Sequence, residues 1–102
     1  MAFGQQVAYR IQETKVSVPT GSWIALQGST ALTNRFAVKV FHAGVGGAVR
    51  LGLSYDNTIP VKDARHWMGP GGAVVEPAST GLTLYGRAKG NPIRVFVTEY
   101  GH

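Results

Sequence analysis

The chain has 102 residues, the usual size of a single domain, and no cysteine, which excludes disulfides, cysteine zinc sites and iron–sulfur clusters. Ten Lys and Arg against five Asp and Glu give a net charge of +5, which favours acidic surfaces and nucleic acid as partners. Because only 15% of the residues are charged and 14 are glycine, we expect a partner to cover part of the surface.

The N-terminal segment has no basic stretch followed by an apolar one, so it is not a signal peptide. No apolar run approaches the roughly 18 residues that a membrane helix needs. We therefore expect a complete soluble protein made in the cytosol, with no membrane partner. One β domain over residues 1–102 is predicted, with residues 1–4 as a flexible arm that orders on a partner.

Apolar residues recur along the chain with a period of two, as in Val38 and Val40 or Ile93, Val95 and Val97. This alternation is typical of strands with one buried side. Segments rich in Gly, Pro, Asn and Asp separate the runs and have turn chemistry. The predicted strands cover residues 5–13, 15–18, 22–27, 36–43, 48–54, 65–68, 73–76, 82–88 and 93–100, with a loop before the strand at 65–68.

Short strands separated by turns every roughly 8–12 residues predict an all-β domain, either a β-sandwich or a closed barrel of roughly seven to nine antiparallel strands. A weak internal repeat relates residues 49–54 to residues 93–98. Each follows another alternating run, at 36–43 and 82–88 respectively. The repeat therefore predicts two similar hairpins that pack face to face as the halves of a sandwich.

Neither catalytic, metal-binding nor cofactor-binding residues are predicted, and we expect no enzyme. The five carboxylates are scattered singly, without the pairing that acid–base chemistry uses. His42, at the end of a strand, is predicted to be a satisfied edge residue. His66 follows the cation Arg65, which disfavours a second positive charge, and His102 is the final residue. The glycine-rich segments lack the Lys-Ser/Thr of a phosphate loop and are predicted to be turns.

Basic residues alternate with aromatic ones at positions predicted to face outward. Phe41, Tyr85 and Phe96 lie beside these cations, and such an arrangement on a sheet can stack nucleic-acid bases. The same cations could instead keep an exposed sheet soluble and block edge pairing. Both interpretations stay open, with nucleic acid not favoured. The cations are Lys39, Arg50, Arg87 and Arg94.

The segment Arg65, His66, Trp67 and Met68 precedes a glycine-rich turn and is the predicted partner interface. Trp, Met and Arg are enriched at the centres of protein interfaces. Trp67 fits core packing equally well, whereas core packing is the favoured role for Trp23.

The order of these segments resembles small virion proteins of tailed bacteriophages, of the capsid decoration (cement) or head-fibre base type. The likeness covers residues 35–100 and is carried by the segments 37–42, 48–54, 69–76 and 84–100. They include Val-Arg-Leu-Gly at 49–52 and Ile-Arg-Val-Phe-Val-Thr-Glu at 93–99. A longer basic insertion at 59–68 departs from the family pattern and is either a docking element or a cover for one end of the sandwich.

The resemblance implies a jelly-roll-like sandwich that binds the major capsid protein, as a trimer or dimer, without catalysis. We therefore expect a decoration protein on the capsid surface of a virion, made in the host cytoplasm. Arg65, Trp67 and Met68 are the predicted anchors. Four cations are predicted to complement the charge of the partner surface: Lys39, Arg50, Arg87 and Arg94. The alternatives are a binding module of a tail, neck or receptor-binding apparatus, and a basic nucleic-acid-binding β domain.

Overall fold

The structure, a computed structural model, describes residues 10–44 and 50–102. These residues contain eight strands and one short 3-10 turn, at Val61–Asp63. The predicted arm at 1–4 and the predicted strand residues 5–9 and 48–49 lie outside these ranges. The strands are β1 (Arg10–Val18), β2 (Ile24–Ala25), β3 (Arg35–His42), β4 (Arg50–Ser54), β5 (His66–Met68), β6 (Ala73–Pro77), β7 (Tyr85–Lys89) and β8 (Ile93–Gly101).

The strands form two antiparallel sheets of four. The first sheet has the order β1-β8-β3-β6 and the second has the order β2-β7-β4-β5. The first strand thus pairs with the eighth, the second with the seventh, the third with the sixth and the fourth with the fifth. This is the connectivity of a jelly roll. The predicted all-β sandwich is confirmed, and the sheets do not close into a barrel.

The two predicted hairpins are wrong. β3 and β4 lie in different sheets, and so do β7 and β8. The repeated segments instead pair across the repeat, β3 with β8 and β4 with β7. Alternation tells which side of a strand is apolar but not which strand lies beside it, so both pairings satisfy the same pattern. The predicted interruption at residue 14 is also wrong, because β1 pairs with β8 over all nine residues.

The core lies between the two sheets, and its apolar side chains come from the inward positions of both. In β8 the inward side chains of Val95 and Val97 are fully buried, as the alternation predicts. Gly86 of β7 leaves room for Leu26, because a Cβ at residue 86 would lie 3.0 Å from both Leu26 methyl groups. The buried cluster comprises Val18, Leu26, Val38, Val40, Leu51, Leu53, Met68, Ala78, Leu84, Ala88, Ile93, Val95 and Val97.

A buried ion pair joins β3 to β8 at one end of the core. Arg35 and Glu99 are 3% and 0% exposed, and Nη1 of Arg35 lies 2.7 Å from Oε1 of Glu99. A β-bulge between Arg35 and Ala37 turns the guanidinium inward, although regular alternation would place it on the outer side with Ala37 and Lys39. All five guanidinium N–H groups donate: to Glu99, to Oε1 of Gln27 and to the carbonyl oxygens of Ala78, Ser79 and Leu82.

The Glu99 carboxylate is equally well satisfied. Oε1 accepts from Arg35 and from the Leu32 amide, and Oε2 accepts from Nε2 of Gln12 at 2.6 Å and from the Gly28 amide at 3.0 Å. Burial, the largest single influence, would raise the pKa of Glu99, but these four hydrogen bonds together outweigh it and lower the pKa. The pair therefore ties β1, β3 and β8 to the loops at 26–34 and 78–84.

Breaking this pair should destabilise the fold. We expect Glu99→Gln or Arg35→Met to lower the free energy of unfolding by about 3–5 kcal/mol, because either change leaves a buried charge without its partner. Urea denaturation measures the loss. Asp63→Asn, which removes an exposed carboxylate in the 3-10 turn, is the control and should stay within about 0.5 kcal/mol of wild type. A Glu99→Gln variant as stable as this control would contradict a structural role for the pair.

Stability should also depend on pH through Glu99. Since its pKa is lower in the folded protein than the value of about 4.3 in the unfolded chain, its contribution is complete above the unfolded pKa. The contribution is lost as the pH falls through the folded pKa. We expect the urea midpoint to drop on acidification, and most of that drop to vanish in Glu99→Gln. Asp56, whose pKa is lowered by hydrogen bonds from Thr58, should account for part of the remainder. An unchanged acid dependence in Glu99→Gln would refute the assignment.

Candidate functional site

The outer side of the first sheet exposes four large apolar side chains, which we call the apolar face. They are Ile11, Phe41, Val75 and Phe96, with exposed fractions of 59, 37, 44 and 43%. The strand register places Phe41 directly opposite Phe96, and their ring centroids lie 6.2 Å apart. Ile11 is opposite the half-buried Tyr100 on the other flank of β8. The face therefore runs across all four strands of the sheet.

The central strand shows why this face is unusual. In β8, Val95 and Val97 point into the core while Phe96 points outward between them. Apolar residues on both sides of a strand are typical of a sheet that is covered on both faces. In the described part of the chain, however, Phe96 and its neighbours stay exposed. An exposed apolar cluster of this kind is typical of a site that binds another molecule.

Basic side chains lie around the aromatic pair and within the apolar face. Nζ of Lys15 lies 5.7 Å from the centroid of the Phe96 ring, within the range of a cation–π contact. Lys39 lies opposite Val75, and Arg94 precedes Phe96 by two residues on the same side of β8. Glu13 adds one carboxylate on β1. The registers place Glu13 and Lys39 in the row between the aromatic pair and Ile11, so the face mixes apolar and charged side chains, as protein interfaces do.

The outer side of the second sheet carries a different set, which we call the basic strip: Arg50, Arg87, Lys89 and Trp67. Arg50 lies directly opposite Lys89, a like-charge pairing that costs stability. The Trp67 ring lies against Gly52, where a Cβ would come within 3.2 Å of it, and Nζ of Lys89 is 5.8 Å from the ring centroid. The strip thus offers three cations and an indole side by side.

A groove of about 540 Å³ opens at one side of the sandwich, beside Tyr55, Arg65, Pro77 and Leu82. The Tyr55 hydroxyl donates to the carbonyl oxygen of Pro77 at 2.7 Å, and the Arg65 guanidinium lies 5.2 Å from the Tyr55 ring centroid. Burial first, and then the nearby Glu76 carboxylate, raise the pKa of Tyr55 despite the opposing charge of Arg65. The phenol therefore remains a hydrogen-bond donor in this groove.

The predicted anchor segment does not present one continuous surface. The Arg65 side chain is 57% exposed beside the groove, and His66 is exposed as well. Trp67 is half-buried on the basic strip. Met68 is only 5% exposed and belongs to the core cluster, so it is not available as a surface anchor. The alternation along β5 explains this, because neighbouring side chains of a strand point to opposite sides of its sheet.

The four cations predicted to act together are divided between the two sheets. Lys39 and Arg94 lie on the outer side of the first sheet, beside the aromatic pair, while Arg50 and Arg87 lie on the basic strip. The outer sides of the two sheets face away from each other, so these four cations cannot contact one flat partner surface. Alternation identified them correctly as outward-facing but did not show which sheet each strand joins.

Phe41 and Phe96 were predicted only as neighbours of basic residues, and the apolar face was not predicted. Ile11 and Val75 complete that face because β1 and β6 are the two edges of the first sheet. The available signal was the presence of large apolar residues at the outward positions of alternating strands. Only the strand order shows that these outward residues come together.

His42 is not the edge residue that was predicted, because it is fully buried at the end of an internal strand. Its Nδ1 accepts a hydrogen bond from the Gly44 amide at 3.0 Å, and its Nε2 has no partner among the described residues. Within residues 10–44 and 50–102, no three His, Asp or Glu side chains are placed to hold a metal ion together. No helix in these two ranges could cross a membrane.

No family model, curated protein or solved structure matches the chain.

Proposed function

We propose that the protein is a structural virion protein that docks on the outside of a bacteriophage capsid through its apolar face. The observation that carries the proposal is the exposure of Ile11, Phe41, Val75 and Phe96 together on one sheet. The sequence resemblance described above supplies the class of partner, the major capsid protein. The jelly-roll connectivity agrees with such a role, because this architecture recurs in viral capsid domains.

The charges around the apolar face favour an acidic partner surface. Lys15, Lys39 and Arg94 surround the aromatic pair, against one carboxylate, Glu13. Positive margins that meet negative ones raise the rate of association and fix the orientation of docking more than they raise affinity. Burial of the two rings on docking would supply the affinity, since aromatic side chains dominate interface energetics.

The size of the apolar face limits what one copy can do. The whole outer side of the first sheet, with four strands about 4.8 Å apart and up to nine residues long, covers roughly 500 Å², and the apolar face is only part of it. A stable interface of standard size takes about 800 Å² from each partner. One copy should therefore bind weakly, and many copies on a symmetric particle would bind together through avidity.

Docking should depend on the aromatic pair. We expect Phe41→Ser or Phe96→Ser to weaken binding about 30-fold, corresponding to about 2 kcal/mol for a residue at an interface centre. Fold stability should change little, because both rings are exposed. Co-sedimentation with empty capsids assembled from a tailed-phage major capsid protein measures the affinity, and electron microscopy shows whether bound copies follow the capsid symmetry.

Leu82→Ser is the matched control, because Leu82 is also 43% exposed but lies beside the groove rather than on the apolar face. It should bind capsids like wild type. If Leu82→Ser abolishes binding while Phe96→Ser does not, the docking surface is the groove and the assignment to the apolar face is wrong. Binding by neither wild type nor any variant would refute the capsid as the partner.

The basic strip supports a second candidate function, the binding of single-stranded nucleic acid. Arg50, Arg87 and Lys89 lie together without an acidic partner among the described residues, and Trp67 offers an aromatic surface. Cations beside an aromatic ring are the elements of sequence-tolerant binding to single strands. The like-charge pairing of Arg50 with Lys89 would be relieved by a bound phosphate.

A salt titration with a generic oligonucleotide tests this second function. If the strip contacts phosphates, the logarithm of the binding constant should fall with the logarithm of salt concentration by about 0.7 per contact. Arg50→Ser and Lys89→Ser should each reduce the slope, whereas Lys39→Ser on the opposite sheet should leave it unchanged. A slope near zero, or an equal effect of Lys39→Ser, would exclude the strip as a nucleic-acid site.

A further inference from the structure

The four outer edges of the two sheets differ in length. β2 and β5, the edges of the second sheet, have two and three residues. β6, one edge of the first sheet, has five residues and ends in Pro77. β1, the other edge, has nine residues, contains no proline and pairs with β8 without a register shift. Short strands, prolines and edge charges are common devices that prevent edge pairing. β1 is neither short nor interrupted by proline, and its charged residues are Arg10, Glu13 and Lys15.

No strand within residues 10–44 and 50–102 pairs with the outer edge of β1. Within the described ranges, the strand's backbone hydrogen bonds are those of its ladder with β8. One row of its amide and carbonyl groups therefore points away from the sheet. An extended strand presented in this way can accept a further strand by ordinary backbone pairing.

The outward side chains of β1 favour a particular occupant. Ile11, Glu13, Lys15 and Ser17 lie on its exposed side, so a negative and a positive charge flank Thr14 symmetrically. An antiparallel copy of the same strand, related by a two-fold axis through Thr14, would place Glu13 opposite Lys15 twice. An axis through Glu13 or through Lys15 would instead set like charges against each other. Opposite charges across a strand pair stabilise it, and like charges destabilise it.

We propose that the partner of the β1 edge is a second copy of this chain, paired antiparallel about a two-fold axis at Thr14. In this register all nine residues of one copy face the nine of the other, from Arg10 opposite Val18 to Val18 opposite Arg10. Thr14 meets Thr14 at the axis, a cross-strand pair that favours sheets. The two first sheets then become one continuous sheet of eight strands.

This dimer does not depend on the proposed docking to a capsid, but it would change the geometry of that docking. The two-fold axis is perpendicular to the sheet, so both apolar faces lie on the same side of the joined sheet. The outer sides of the two joined sheets together cover roughly 1,000 Å², more than the share of about 800 Å² that one partner gives to a standard interface. The dimer therefore offers a surface large enough for one lasting contact.

Charge reversal at β1 tests the dimer and its register. Glu13→Lys alone and Lys15→Glu alone each set like charges opposite each other, so each variant by itself should dissociate about tenfold more readily than wild type. The two variants mixed together restore opposite charges at both positions and should form a heterodimer. The doubly substituted chain, Glu13→Lys with Lys15→Glu, should dimerise like wild type. Sedimentation equilibrium gives the dissociation constants, and native mass spectrometry detects the heterodimer.

Mixing the two single variants separates a lost interface from a lost fold, because a misfolded variant would not regain strand pairing on mixing. Three outcomes would overturn the proposal: a wild-type protein that stays monomeric at every concentration, single variants that dimerise like wild type, or a mixture without heterodimer.

Phe41→Ser distinguishes this inference from the proposed function. It should weaken capsid binding while leaving the dimer intact, because Phe41 lies on β3, two strands away from the β1 edge. If Phe41→Ser also dissociates the dimer, the copies associate through their apolar faces and the edge-to-edge arrangement is wrong.

Discussion

The ion pair between Arg35 and Glu99 is the interaction on which the arrangement of the first sheet depends. Two charges withdrawn from water are costly unless every donor and acceptor is satisfied, and here all of them are. The pair holds β8 between β1 and β3 and fixes the loops that cross that end of the sandwich. Since Phe96 is on β8 and Phe41 is on β3, the same pair sets the spacing of the apolar face. A charged group in the interior thus organises an apolar surface on the exterior.

Alternating hydrophobicity was enough to predict the strands and their buried sides, as Val38, Val40, Val95 and Val97 show. Glu99 also fell at an inward position of β8, so a buried acid was visible in the pattern. The burial of its partner Arg35 was not visible in the pattern. Regular alternation places Arg35 on the outward side of β3, and only the bulge turns it inward. Strand pairing was equally hidden, since two strands with the same alternation can lie side by side or in opposite sheets.

The candidate sites show the same division between local and long-range information. Basic residues were predicted to face outward, and Lys39, Arg50, Arg87 and Arg94 do so or lie at partly exposed positions. Their grouping depended on the sheet order, which separates them into two faces. The apolar face is assembled from four strands spread between residues 10 and 101, so no segment of the sequence contains it. Local patterns identify surface chemistry, and topology decides which surface residues become neighbours.

The central position of β8 has a consequence for how the chain is made. Of the eight described strands, β1 is synthesised first, yet its neighbour within the sheet, β8, is synthesised last. During translation the nascent chain must carry β1 unpaired until residues 93–101 have left the ribosome, and pairings of such long sequence separation form slowly. The hydrogen-bonding groups of β1 are exposed throughout that interval. Crowded expression of many copies would then favour chains that capture each other's strands before their own final strand arrives.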